Sequence, residues 1–276
     1  MCDCLPPDYD GPILVPHKWS CPESSKVSIE PLGSIYGTKS SDRWKSTPGK
    51  MDTLNTRLIF ESVGRWGIPV LQPCSFVPET LAAWHDPKQR AHAAEIMTCQ
   101  EVDTSSGRVK TLTRPRGALH FFVDDYRFEK VWSKPELTYE RVAEVGAALS
   151  PDFSMWRDMP AAVQLWQVYR SRWCAAFWQH LGVEVIPTAT WGGENTYEFC
   201  FDGIPQRSTV AISMLGVRKA GRQLFLNGLK SLISHCNPSL ILSYGGISPS
   251  MLDEISTPVR EYETSLDMFR RNKIGG

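Results

Sequence analysis

From Ile68 to Gly246 the chain alternates short apolar runs with stretches whose apolar residues recur every three or four positions. That alternation restricts the fold more than any other feature, because consecutive strand-helix-strand units pack as a parallel sheet with right-handed crossovers. Residues 118–123, "ALHFFV", are apolar on both faces, as in a strand covered on each side. The runs 183–191, 208–215 and 238–246 read the same way, and 68–74 ("IPVLQPC") and the short 151–154 ("PDFS") bring the strands to about six.

Between them, residues 78–86 read as a short helix with Pro78 at its start, where the missing N–H costs nothing. Helical spacing runs over 136–149 and over 159–181, where Val163, Trp166, Tyr169, Trp173, Phe177 and Leu181 make the strongest amphipathic pattern of the chain. A further helix presents Phe225, Leu229, Leu232 and Cys236, and a last one is expected over 251–269. Residues 96–113 read as a hairpin turning at Ser-Ser-Gly.

The expected fold class is therefore α/β with a TIM-barrel-like, irregular or incomplete parallel sheet. The alternative is an open doubly wound sheet. Nearly every strand ends in polar residues or Gly, and neither G-x-G-x-x-G nor G-x-x-x-x-G-K-[ST] follows any strand, which removes the two commonest nucleotide-fold signatures. Residues 1–66, rich in Pro, Ser, Gly and Lys, form an extended N-terminal arm; 67–250 form the barrel-like domain with a hairpin insertion near 95–114; 251–276 carry the C-terminal helix and a basic tail.

With 42% hydrophobic and 22% charged residues and ten tryptophans in 276, the chain has the composition of a folded globular protein. Its formal net charge of zero argues against binding driven by many phosphate contacts. The local basic groups, Arg108, Lys110, Arg114 and Arg116, and Arg270, Arg271 and Lys273 in the tail, read as solvated. No signal-peptide pattern opens the chain, and no apolar run approaches the roughly 18 to 20 residues that span a membrane. A cytoplasmic protein with mostly reduced thiols is expected, Cys174 and Cys236 being core.

In both architectures function gathers at the carboxyl ends of the strands. Asp124, Asp125 and Asp152 stand there as candidate catalytic groups, able to bind a divalent cation, share a proton or divide into acid and base. Neighbouring strand residues face opposite ways, so Asp124 and Asp125 reach one site only where the strand has ended. Tyr126, Arg127, Ser154, Trp191, Asp202 and Tyr244 are candidate substrate-binding residues, and Trp191, Tyr197 and Phe201, in a connection beyond a strand, are candidate stacking platforms for a base or sugar. Alternatively the aspartates cap helices or turns. No G-x-S-x-G elbow exists, and His120, His180 and His235 read as structural.

A second constellation is Cys2, Cys4, His17 and Cys21. These ligand types suit tetrahedral zinc, which would also order an arm poor in apolar residues.

The segments "FFVDDYRFEKVW", "SPDFSMWRDMP", "VEVIPTATWG", "FCFDGIP", "VAISMLG" and "ILSYGG" resemble a phage and mobile-element family known as domain of unknown function 4417, over roughly residues 68–246. The resemblance implies a phage or prophage setting, and hence the cytoplasm of a bacterial host, and brings no activity with it. Three readings follow. One is an enzyme acting on a nucleotide, nucleic acid or sugar phosphate through Asp124, Asp125 and Asp152. Another is a binding protein that inhibits or redirects a host or defence factor, and the third a virion or assembly component. An enzyme predicts an open pocket of some hundreds of Å³ lined by those aspartates with perturbed ionisation. An inhibitor predicts a filled barrel mouth and an exposed apolar patch elsewhere.

Overall fold

The computed structural model describes residues 54–55, 58–102, 109–265 and 267. Contacts divide the chain into two units, Met1–Glu61 and Ser62–Gly276. The four residues expected to bind zinc, Cys2, Cys4, His17 and Cys21, lie outside the described residues, as does the basic tail.

The second unit opens with β1 (Ser62–Val63) and β2 (Ile68–Pro69), a short antiparallel pair. Only those two residues of the "IPVLQPC" run join a ladder. Pro69 and Pro73 withhold donors, so the rest runs extended, with the Leu71 N–H donating to Gly203 O at 2.9 Å and the Cys74 N–H to Ser208 Oγ at 3.0 Å.

β3 (Thr80–Ala83) occupies the stretch expected to be a helix from Pro78. The correction is tertiary. Its Leu-Ala-Ala run has helical propensity, but β6 offers it a parallel ladder, and Gly117 of that strand lets the two backbones and α1 approach closely. The helix comes one step later, as α1 (Pro87–Ala93), where Asp86 caps the N–H groups of Lys88 and Gln89 at 2.9 and 3.1 Å. β4 (Ile96–Val102) and β5 (Val109–Pro115) form the expected antiparallel hairpin. β6 (Gly117–His120) follows, every residue buried, then a 3₁₀ turn at Asp125–Arg127, α2 (Lys130–Ser133) and α3 (Pro135–Val145).

The helical spacing read through Leu149 spans a break. Gly146 adopts φ 79°, the left-handed conformation that ends helices, and residues 147–149 become β7 (Ala147–Leu149). "PDFS" is therefore the exit of a strand and forms none itself. Next is α4 (Ala161–His180), less amphipathic than expected. Val163 of the supposed inner face is exposed, whereas Gln164, Gln167, Arg170, Ser171 and Arg172 are buried.

The last elements are β8 (Glu184–Ile186), β9 (Thr209–Ser213), α5 (Arg222–Cys236), β10 (Leu240–Tyr244), α6 (Pro249–Leu252) and β11 (Val259–Tyr262). Over residues 251–262 one short turn and a strand thus replace the long helix expected there, since Pro258 stops a helix and Val259–Tyr262 finds a parallel partner in β10.

Two parallel sheets result, β3-β6-β7-β8 and β9-β10-β11, joined by a parallel bridge between Thr188 and Ala211. Each long-sheet strand lies beside the next one in the chain, the hairpin apart. One apolar cluster takes side chains from six of these strands, among them Ala118, Leu149, Ile186, Ala211, Leu242 and Tyr262. Among the described residues no ladder pairs β11 with β3; the Tyr262 hydroxyl donates to Pro78 O at 2.6 Å across that gap. A second cluster packs α5 and the far face of β9 and β10 through Val210, Ile212, Leu229, Leu232 and Ile241. Among the described residues no helix is long and apolar enough to cross a membrane.

Candidate functional site

At the carboxyl ends of β6 to β9 the chain leaves a cleft of about 620 Å³, within the several-hundred Å³ range of small-molecule sites. Four successive exits build it: Phe122 and Asp124 after β6, Asp152 to Arg157 after β7, Thr190 and Trp191 after β8, and Ser213 and Leu215 at and after β9. Phe225 of α5 closes one side.

The β7 exit is the most firmly held of these. Asp125 receives the Ser154 N–H at 3.1 Å on each carboxylate oxygen and the Ser154 hydroxyl at 2.8 Å. Below it, Gln167 donates to Ser154 O at 3.1 Å and Gln164 to Trp156 O at 2.7 Å. Arg170 lies 3.9 Å from the Phe153 ring centroid and is anchored on Glu129 at 2.8 and 3.0 Å. The buried polar stripe of α4 therefore fixes the backbone that carries Asp152, Trp156 and Arg157, a preorganised arrangement on a rigid element.

Asp152 is partly accessible, yet enough protein surrounds its carboxyl to strip water from it. Desolvation pushes its pKa up from 3.8 to about 6; the Asp125 charge adds to the rise, and a hydrogen bond from the Thr190 hydroxyl to Oδ1 opposes it. A carboxyl poised near 6 can give or take a proton at neutral pH.

Behind this wall lies Arg172, 2% exposed, which donates to Thr188 O at 2.9 Å, Asp202 O at 3.1 Å and Cys200 O at 3.2 Å. Burial pulls its pKa down to about 10, so it remains charged at neutral pH. It ties the β8 exit to the 196–202 loop. Trp191 rests on Phe225 at 5.0 Å between centroids and on Gly228, where an added Cβ would lie 2.1 Å from its Nε1. Gly228→Ala is therefore expected to cost roughly 1–3 kcal/mol by overpacking, despite alanine's better helix propensity. Urea unfolding checks it, and a stabilised variant would mean that Trp191 swings aside freely.

Residues 100–263 match the family model described as a domain of unknown function, DUF4417. The chain belongs to the DUF4417 family. It is 50% identical over 240 residues to the Gene 1 protein of Mycobacterium phage L5, covering 86% of this chain and 96% of that one. To the Gene 1 protein of Mycobacterium phage D29 it is 49% identical over 240 residues, covering 86% and 81%. No solved structure gives a significant match.

Within this DUF4417 chain the candidate residues separate. Asp124, Asp152, Ser154 and Trp191 line one cleft. Asp124 is exposed and turns towards Arg127 at 3.4 Å. Asp125 stands behind Ser154 as its backbone clamp. Tyr126 is 75% exposed with Arg127 over its ring at 5.4 Å, and neither residue lines the cleft. Asp202 sits behind Arg172, its carboxyl packed where Gly64 leaves room, and desolvation raises its pKa. Tyr244 is inside the strand layer, 4.4 Å from the His120 ring and 5.2 Å from Phe122, its hydroxyl accepting the Ser265 N–H at 3.0 Å.

Among the described residues no group of three or more His, Cys, Asp or Glu could hold a metal ion. The cysteines Cys74, Cys174, Cys200 and Cys236 are free and buried, and burial raises each thiol's pKa. His120 is buried and its pKa is lowered to about 3, first by desolvation and then by His85.

Sequence reasoning passed over Trp156, Arg157 and the glutamines of α4. The signals were present: "SPDFSMWRDMP" places an aromatic beside a cation just past a strand, and 164, 167 and 171 repeat polar residues at helical spacing inside an apolar helix.

Proposed function

We propose that the chain is an α/β enzyme acting on a nucleotide, nucleic acid or sugar phosphate, with Asp152 as the group that gives or takes the proton. The observation carrying this reading is that one carboxyl with a raised pKa lines an open cleft at the strand ends, hydrogen-bonded to Thr190 and set beside Trp156, Arg157 and Trp191. The role divides among the aspartates: Asp152 performs the chemistry, Asp125 positions its loop through Ser154, and Asp124 stays on the rim with Arg127. A two-carboxylate metal step finds less support, because Asp125 is engaged with the Ser154 N–H and hydroxyl and does not line the cleft.

The fold reading that accompanies it is an incomplete barrel. It is supported by one interior cluster fed by six strands and by the Tyr262 to Pro78 contact. The phage relatives support a setting in the cytoplasm of a bacterial host.

The test is a conversion screen over nucleotides, sugar phosphates and oligonucleotides, comparing wild type with Asp152→Asn. A product whose formation rises or falls through about pH 6 and vanishes in the variant supports the reading; turnover that survives in Asp152→Asn overturns it. The binding-protein reading draws on Tyr126 and Leu137, both 75% exposed and outside the cleft. Capture of a host protein that Tyr126→Ala abolishes, with no turnover of any kind, would favour it. For the arm, zinc at Cys2, Cys4, His17 and Cys21 stands as a proposal: elemental analysis should find stoichiometric metal that Cys4→Ser loses, and a metal-free wild type would remove it.

A further inference from the structure

Trp156 differs from the other tryptophans around it. Trp84, Trp132, Trp166, Trp173, Trp178 and Trp191 each pack against another aromatic ring, whereas Trp156 has no ring contact within the described structure, is 64% exposed, and lines the cleft. An uncovered indole held on a clamped backbone is a surface for a flat ligand. Its backbone does not drift, because Gln164 and Gln167 grip residues 154 and 156.

The next residue, Arg157, also lines the cleft and has no ion pair within the described structure. Asp124 occupies Arg127, so Arg157 is the cation the cleft itself presents. One free guanidinium suits one phosphate. A polymer would need several, and the chain's net charge is zero. Thr190, Ser213 and Asp152 line the same cleft and can hydrogen-bond the edge of a heterocycle. Trp191 lines it as well, pinned by Phe225 and Gly228.

We propose that the cleft takes a nucleoside monophosphate, with the base on Trp156 and the phosphate on Arg157. This rests on the reading of the cleft as the site of an enzyme and narrows its substrate class, setting aside sugar phosphates and polymers. Asp152 then faces the base or the sugar, with the phosphate held apart from its negative charge.

The experiment is calorimetric titration of the full chain with AMP, GMP, CMP and UMP, with adenosine and the other free nucleosides, with ribose 5-phosphate, and with a short single-stranded oligonucleotide. At least one monophosphate should bind, and ribose 5-phosphate should bind at least tenfold more weakly. Base–aromatic stacking contributes to binding of either ligand, so Trp156→Ala should weaken both the monophosphate and its nucleoside by about tenfold or more. Arg157→Gln should weaken the monophosphate about tenfold and leave the nucleoside unchanged.

The proposal is overturned if none of the four monophosphates binds or if ribose 5-phosphate binds as well as they do. It is also overturned if the oligonucleotide binds more than tenfold tighter, or if Trp156→Ala changes nothing. Monophosphate affinity without any Asp152-dependent conversion would sink the enzymatic reading and leave this one standing. Asp152-dependent conversion of a ligand lacking a base would do the reverse.

Discussion

Arg172→Met lowers the free energy of unfolding by about 3 kcal/mol or more, the largest loss expected for any single side chain near the cleft. Two effects compete. Removing a buried charge is favourable, and the fall of the Arg172 pKa to about 10 shows that burial penalises the charged form. Against that, the guanidinium satisfies the carbonyls of Thr188, Cys200 and Asp202 at once. Methionine has nothing to offer them, and each orphaned buried carbonyl costs about 1–3 kcal/mol. The losses exceed the relief. Arg172→Lys should recover only part, since an ammonium cannot hold three acceptors in one fork. Urea unfolding of the three proteins decides it, and a methionine variant as stable as wild type would show that water replaces the guanidinium without cost.

Arg172 also marks where reading the sequence stops short. A helix with Trp, Tyr and Phe at three- and four-residue intervals invites one apolar face and one wet one, and α4 departs from that from its first turn, where Val163 is exposed and Gln164 buried. Spacing alone leaves the polar residues to solvent, because it says which residues share a face and nothing of what the face meets. Here it meets the exits of β7 and β8, whose carbonyls need donors. The strands whose apolar runs are continuous, β6, β9 and β10, are legible, since a strand covered on both sides has no other pattern. β3 is not, because its alanines favour a helix until β6 offers a ladder. β11 is hidden when helical spacing is read across Pro258.

The site is legible as a face and less so as a set of residues. Strand ends name Asp124, Asp152, Ser154 and Trp191, which line one opening because parallel topology brings successive exits together. Which of two adjacent aspartates looks inward depends on where the strand stops. β6 stops at His120, several residues before the pair, so alternation no longer applies. Asp125 accordingly folds back on Ser154 and Asp124 stays at the cleft rim. Asp202 rests on motif and Tyr244 on its place at a strand end, and neither carries depth: one lies behind Arg172, the other inside the strand layer.

Asp152→Asn should do two opposite things at once. Where the carboxyl transfers a proton to or from substrate, its loss lowers turnover by about 10²- to 10⁴-fold. Its effect on stability has the other sign. The native carboxyl, raised from 3.8 to about 6, holds its proton more tightly than the unfolded chain does. Between those values the native state binds more protons, so this group's contribution to stability grows as pH falls through 6 towards 3.8 and is at its least favourable above 6. A tenfold gain in proton affinity corresponds to about 1.4 kcal/mol, and partial solvent access reduces the total, so the charged carboxyl costs the fold about 1–2 kcal/mol at neutral pH. Asparagine keeps an oxygen for the Thr190 hydroxyl and carries no charge. The variant should therefore be more stable than wild type by about that amount at about pH 7.5, with the two curves converging near about pH 4. Denaturation across that range, read beside turnover, separates a functional carboxyl from a structural one. A structural Asp152 would lose stability on substitution, whereas a working one, held charged in a poorly solvated wall, gains stability as it loses activity.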